Sequence, residues 1–318
     1  MTEKQDELFN RWLSPPIEFV DEKAEEAYKA RVTRIRDAIQ LKKTPDRVPV
    51  FPLVGFFPAY YAEMTPYDMM YDYEKLKIAF RKYVLEMKPD AHGGAIGPGP
   101  GRFFDILDYK LYAWPGHGVP RRSPYQCLEG EYMKADEYDA LIQDPTYYFL
   151  TKFFPRIFGK LEPFKKLTPF TNALEIYGAF TPLTFVPFGM PDVQAALKAL
   201  MEAGNETVRW IGHVVEWEKD IIAAGFPDFF GGGCKAPFDV IGDTLRGTRG
   251  VMLDMYKRPD KLHQAMEVFT PLMIKMGASG AKANGNPIVF MPLHKGCLLY
   301  TSDAADELDG VDLGGRRI

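Results

Sequence analysis

Short apolar runs alternate with long stretches of helical periodicity along this chain, and that alternation constrains the fold more than any other feature. Ala24, Tyr28, Val32, Ile35 and Ile39 recur at spacings of four and three, which predicts a helix with one apolar face ending before Pro45. Val48–Val54 follows as a short apolar run and predicts a strand; 73–87 reads as a helix leading into a second strand over 89–96. Farther on, Asn205 is placed to cap a helix that Gly225 ends, with Trp210, Val214, Trp217 and Ile221 on one face. Phe226–Gly231 then reads as a strand end. Pro259 and Asp260 open another helix carrying Leu262, Met266, Phe269, Met273 and Met276, which Pro271 should bend, and Ile288–Leu293 reads as the next strand. Strands separated by long helical patterns imply parallel pairing with helical crossovers, hence an α/β fold that is either a doubly wound sheet or a barrel. The stretch 97–161, rich in Gly, Pro, Tyr and Phe, reads as an insertion or long loop region and not as a second domain.

At 318 residues, 46% hydrophobic and 26% charged, the chain is long and apolar enough for a large core. No run approaches the roughly 18 uninterrupted apolar residues of a membrane span, and the polar start lacks the apolar centre of a signal peptide, so a cytoplasmic protein is expected. Cys127, Cys234 and Cys297 are too few and scattered for a disulfide framework.

The tail divides from the rest. Residues 297–318 resemble the translation of a sequencing-library transposase adapter: adapter codons reproduce Cys297 through Asp306 and Val311 through Ile318, with Glu307–Gly310 where a barcode would be read. The expected organisation is therefore one incomplete domain over 1–296 and a non-native tail over 297–318. The tail holds five acids and two bases, so the formal charge of -4 becomes -1 without it. A nearly neutral chain gives no bulk signal for nucleic acid or an anionic membrane.

Local motifs are few. The prolines of 97–101, a Gly-Pro-Gly-Pro-Gly run, remove amide donors that a phosphate cradle would use, which favours a bent loop. Gly231–Lys235 follows a strand and leaves two readings open: a close backbone approach to a ligand, with Lys235 supplying charge and Cys234 a soft ligand or nucleophile, or ordinary chain packing. It lacks the ending of a nucleotide-binding loop. No two of His92, His117, His213, His263 and His294 share metal-pair spacing. His92 and His294 fall at the ends of expected strands, where parallel barrels place reactive groups. His213 and His263 read as packed or solvated mid-helix residues, His117 as either, the methionines of 266–276 as core filler, and Arg246, Arg249 and Lys257 as charges solvating a helix surface.

From Pro227 to Gly296 the order of features resembles the uroporphyrinogen decarboxylase superfamily, which includes cobalamin-dependent methyltransferases. The likeness runs through Gly232–Phe238, Leu245–Gly247, Met252–His263 and a strand ending Leu293–Gly296, and the helix before Pro45–Val50 fits the entry to that superfamily's first strand. The resemblance implies a (β/α)8 TIM barrel, C-terminally truncated, with its pocket at the strand tips; losing terminal strands would leave an open edge and little activity. It nominates His294, His92, Asp239 and Asp243 as catalytic residues, and Phe56, Phe57, Tyr60, Cys234 and Lys235 as substrate-binding ones.

Departures from the decarboxylase subgroup bear on function. Its arginine-bearing segment after the first strand, suited to propionate carboxylates, is replaced by the cation-free stretch Val54–Tyr61; its tyrosine falls at Asp243 and its serine at Leu293. The resemblance therefore implies, for the intact parent, corrinoid-dependent methyl transfer first, with tetrapyrrole decarboxylation and non-catalytic tetrapyrrole or corrinoid binding as alternatives. The implied partners are a small methyl donor or tetrapyrrole and a corrinoid protein. Corrinoid and zinc are the implied cofactors, although the superfamily's zinc ligands would fall beyond Gly296 and Cys297 is not counted among them.

Overall fold

The computed structural model describes residues 3–173 and 181–295, so the adapter-like stretch and Cys297 lie outside the described residues. Helix dominates. The longer helices are α1 (Glu3–Leu13), α2 (Glu22–Gln40), α3 (Tyr73–Met87), α4 (Pro191–Ala223), α5 (Gly247–Lys257) and α6 (Pro259–Asn284). The regular strands are short: β1 (Tyr112–Pro115), β2 (Gly118–Val119), β3 (Gln126–Cys127), β4 (Gly232–Gly233) and β5 (Val289–Phe290). A closed barrel is not found among them.

The expected strands survive as extended segments lying side by side. The Asp90 amide donates to the Val50 carbonyl, the His92 amide to Pro227 and the Phe229 amide to His92. His92 and Asp228 form a parallel bridge, and β4 pairs in parallel with β5 at Gly232–Val289 and Gly233–Phe290. The order in space thus follows the order in sequence, with α3, α4 and α6 between successive segments. Val48–Val54 forms no regular strand; Val48, Val50 and Leu53 are exposed, so the run lacks the two covered faces that would hold a ladder.

Helical periodicity predicted most of the buried faces, while Ile39 and Met276, expected on them, are exposed. Ala24, Tyr28, Val32 and Ile35 are buried on α2, and Trp210, Val214, Trp217 and Ile221 on α4, where they pack with Phe80, Tyr83, Ala95 and Phe226. Two expectations need correction. Asn205 caps nothing: α4 begins at Pro191 and runs through Gly204 and Asn205, because Val193, Ala196 and Ala203 extend the buried stripe. Arg246 is no surface charge. It is 3% exposed, its Nε lies 2.5 Å from Asp254 Oδ2, its Nη1 donates to the Met133 carbonyl at 2.6 Å, and Tyr138 closes the network on Asp254 at 2.9 Å. The stretch 97–161 is also more than loop. It folds β1 to β3 into a small sheet and supplies Tyr138, Leu141, Tyr148 and Phe153 to a core shared with Ile241, Leu245 and Phe269.

The glycine run is explained by packing. A Cβ on Gly232 would fall 2.6 Å from the Gly277 carbonyl oxygen, and one on Gly280 would fall 2.9 Å from Gly232 Cα. α6 therefore lies directly against β4, an approach open only to glycine.

Asp90 joins three separated stretches. Fully buried, it receives Arg34 Nη1 at 2.6 Å, both terminal nitrogens of Arg47 at 2.7 Å, and the Val50 amide at 2.7 Å. Asp90→Ala would leave the partly enclosed Arg34 guanidinium with Asp46 alone and take the shared acceptor from Arg47 and the Val50 amide, a loss of about 3–5 kcal/mol for a broken buried pair. Urea unfolding should show the midpoint falling accordingly, whereas Lys29→Ala, which removes the exposed Lys29–Glu25 pair, should stay within about 1 kcal/mol of the parent.

Candidate functional site

Four of the nominated residues meet beyond the ends of β4 and β5. Asp239 is fully buried and its Oδ1 accepts the backbone amides of His294 at 3.0 Å and Lys295 at 2.5 Å, while its Oδ2 has no partner. Asp243 Oδ2 lies 2.7 Å from His294 Nδ1 and 2.8 Å from Lys235 Nζ; Lys295 Nζ stands 3.7 Å from its other oxygen. Enclosure alone would raise the Asp243 carboxyl, but the hydrogen bonds from Lys235 and His294 hold it below its ordinary value. The His294 side chain is 60% exposed. The result is an imidazole oriented by an ionised carboxylate, with its backbone fixed by a second carboxylate.

A second tier supports this group. Lys295 Nζ donates to Glu129 Oε1 at 2.9 Å and to the Thr248 hydroxyl, and the Thr248 amide donates to the same Glu129 oxygen at 2.8 Å. Gly242 makes room for the lysine stem, since a Cβ there would lie 3.0 Å from Lys295 Cγ. Hydrogen bonds from the Thr248 hydroxyl, Lys295 and the Thr248 amide bring the Glu129 carboxyl down to about 2.

The other nominated residues stand elsewhere. His92 is 3% exposed, edge-on to Trp217 at 5.0 Å, and its Nδ1 accepts the Gly94 amide at 3.2 Å. A neutral ring accepting at Nδ1 carries its proton on Nε2, which is buried without a hydrogen-bond partner. Burial brings its pKa down to about 4. Cys234 faces α6, close beside Gly277, and its amide pairs with the Phe290 carbonyl. Phe56 is buried edge-on to Tyr125, Phe57 stacks on Tyr61, and the Tyr60 hydroxyl donates to the Arg122 carbonyl at 2.6 Å. His92, Cys234 and the three aromatic residues are therefore not gathered around His294.

A cavity of about 550 Å³ lies between the extended segments and α4, lined by Leu53, Val54, Ile96, Val214, Phe230 and Phe290 among others. Among the described residues, the charged ones in its wall are Glu218 and Asp228, and no lysine or arginine contributes to it. Burial and the neighbouring Glu218 push the Asp228 carboxyl well above its ordinary value, favouring the neutral form. Sequence reasoning missed this pair, as it missed Lys295, Glu129 and Thr248. A lone acid inside the apolar Phe226–Phe230 run was the available signal.

Among the described residues no three His, Cys, Asp or Glu side chains converge to hold a metal, and no step is assigned to one. Nor is any described helix long and apolar enough to cross a membrane. Compared with known family models, curated proteins and solved structures, the chain matches none.

The Glu129 contacts carry a pH signature. Because its folded carboxyl is depressed, their stabilisation is complete above the usual value of 4.5 and is lost as pH falls toward about 2. The backbone amide resonance of Thr248, which donates to that carboxylate, should titrate in this window in the wild type. An amide shift of equal size in Glu129→Gln would count against the assignment.

Proposed function

We propose that the chain is an enzyme of the uroporphyrinogen decarboxylase superfamily, that its four adjacent segments are the opening strands of a (β/α)8 barrel, and that it serves corrinoid-dependent methyl transfer. The in-order segments, the helices between them and the polar group beyond β4 and β5 support the barrel reading, since parallel α/β folds gather reactive side chains at strand carboxyl ends.

The observation that carries the choice of reaction is the cation-free wall of the cavity. A substrate with many carboxylates would meet apolar side chains and the acids Glu218 and Asp228, and an unpaired carboxylate taken out of water is costly. The nearby lysines offer no replacement: Lys235 is engaged by Asp243, and Lys295 by Glu129. Tetrapyrrole decarboxylation is thus the weaker reading. A volume of about 550 Å³ is in the range for a small molecule and suits a methyl donor or acceptor of low charge. The corrinoid would then arrive on a partner protein and supply the methyl-carrying centre, while this chain binds and orients the small substrate.

Titrations separate the readings. Loss of the absorbance of methylcobalamin, catalysed by the uninterrupted parent protein with a small acceptor present, is the expected result, together with no binding of an octacarboxylate porphyrin. Tight porphyrin binding and conversion of uroporphyrinogen would overturn the proposal in favour of decarboxylation; corrinoid binding without methyl loss would leave a non-catalytic binder.

A further inference from the structure

We propose that His294 is the acid–base residue of this site and that it exchanges a proton, through Nε2, with a hydroxyl oxygen of the small substrate. The inference rests on the reading of these segment ends as the reactive end, and it adds the substrate group and the direction of proton flow.

Geometry fixes the tautomer. Asp243 carries Lys235 on one oxygen at 2.8 Å and faces Lys295 across 3.7 Å on the other, so it is an ionised acceptor. An imidazole nitrogen 2.7 Å from such a carboxylate bears the proton, which leaves the Nε2 lone pair free in the neutral ring. Nε2 has no hydrogen-bond partner among the described residues. The backbone beneath it is held by the fully buried Asp239. The charged groups around the imidazole are Asp243 and Lys235 from the segment after β4, Asp239 under its backbone, and Lys295 with Glu129 behind it. The two cations are each opposed by a carboxylate, so a protonated ring is tolerated. Both ammonium groups remain near enough to favour oxyanion charge.

A hydroxyl is the group that needs this device. Carboxylic acids are already ionised at neutral pH, and a thiol ionises appreciably unaided, whereas an alcohol requires a base in the transition state. As the O–H bond breaks, its electron pair stays on oxygen, Nε2–H forms, and the imidazolium keeps its Nδ1–H bond to Asp243. In the opposite direction, when a C–O bond to a methyl group breaks with its electron pair left on oxygen, the Nε2 proton moves to that oxygen; a corrinoid brought by a partner would supply the acceptor of the methyl group.

Hydrolysis of p-nitrophenyl acetate, with water as the hydroxyl, tests the base without any corrinoid. The full chain should release p-nitrophenolate at least about tenfold faster than His294→Gln, within the span of acid–base effects. Its rate should rise through one ionisation that the variant lacks. His263→Gln, which changes an exposed histidine near Glu267, should match the wild type. In ¹⁵N-histidine spectra the neutral ring of His294 should be the Nδ1–H tautomer, and Asp243→Asn should abolish that preference while circular dichroism stays unchanged. Equal rates for wild type and His294→Gln, or an Nε2–H tautomer in the wild type, would overturn the proposal. Since neither readout involves a corrinoid, loss of the base and loss of the methyl-transfer reading are told apart.

Discussion

The buried carboxylate of Asp90 is the interaction on which the arrangement of the extended segments depends. Removing a carboxylate from water costs several kcal/mol even after relaxation, and that cost is offset only by close, well-directed donors. Arg34 from α2, the fork of Arg47 and the Val50 amide provide them, all within 2.7 Å. Arg31, one turn before Arg34 on α2, reaches the carbonyls of Pro89 and Gly225 and lies 4.0 Å over the Phe226 ring. One helical face therefore grips the amino ends of three segments whose own ladders are too short to hold register. Charge is concentrated at those starts for structure, and again beyond the other ends, where His294 and Lys235 stand.

What was legible in the sequence was whatever local spacing encodes. The buried faces of α2 and α4 follow from apolar residues three and four apart, the span of α3 from the helical pattern of 73–87, and the start of α6 from Pro259. His294 and Lys235 were reachable because strand ends concentrate polar groups, Asp239 and Asp243 only through the resemblance, and the structure brings these four together. Glu129 and Thr248 were not. Their link to Lys295 spans 166 and 47 residues, and a hydrogen bond across such a separation leaves no periodic trace. The same applies to Arg246: its partners Glu131 and Met133 come from a stretch read as loop, so the charge looked solvated. Asn205 misled for the opposite reason. A good capping residue sits in the middle of a helix whose apolar stripe continues past it in both directions.

The glycines of 231–233 show how packing and site are coupled. Gly231 and Gly232 admit the Asn286 backbone and α6, respectively, which turns Cys234 toward that helix and out of the cavity wall. Gly233 meets little besides the Phe290 carbonyl and remains in the cavity wall. The same residues that left a close approach to a ligand open thus serve close helix-on-strand contact, and their contribution to the site is to set where Lys235 begins.

Two surfaces of opposite character follow along each strand. Gly233 and Phe290 line an apolar space whose charged groups are acidic, and two to four residues onward Lys235 and His294 enter a polar cluster with two ammonium groups. A ligand spanning both would be sorted by chemistry: its apolar body is favoured in the cavity, where any carboxylate would face Glu218 and Asp228, and its developing negative charge is favoured beside the lysines. Because Asp243 and Glu129 already balance those lysines, the cluster attracts a permanent anion only weakly, yet it can stabilise charge that appears at an oxygen while a proton moves to His294. That distinction between ground-state and transient charge is what separates a site for proton-coupled transfer at a neutral substrate from one built to hold a polyanion.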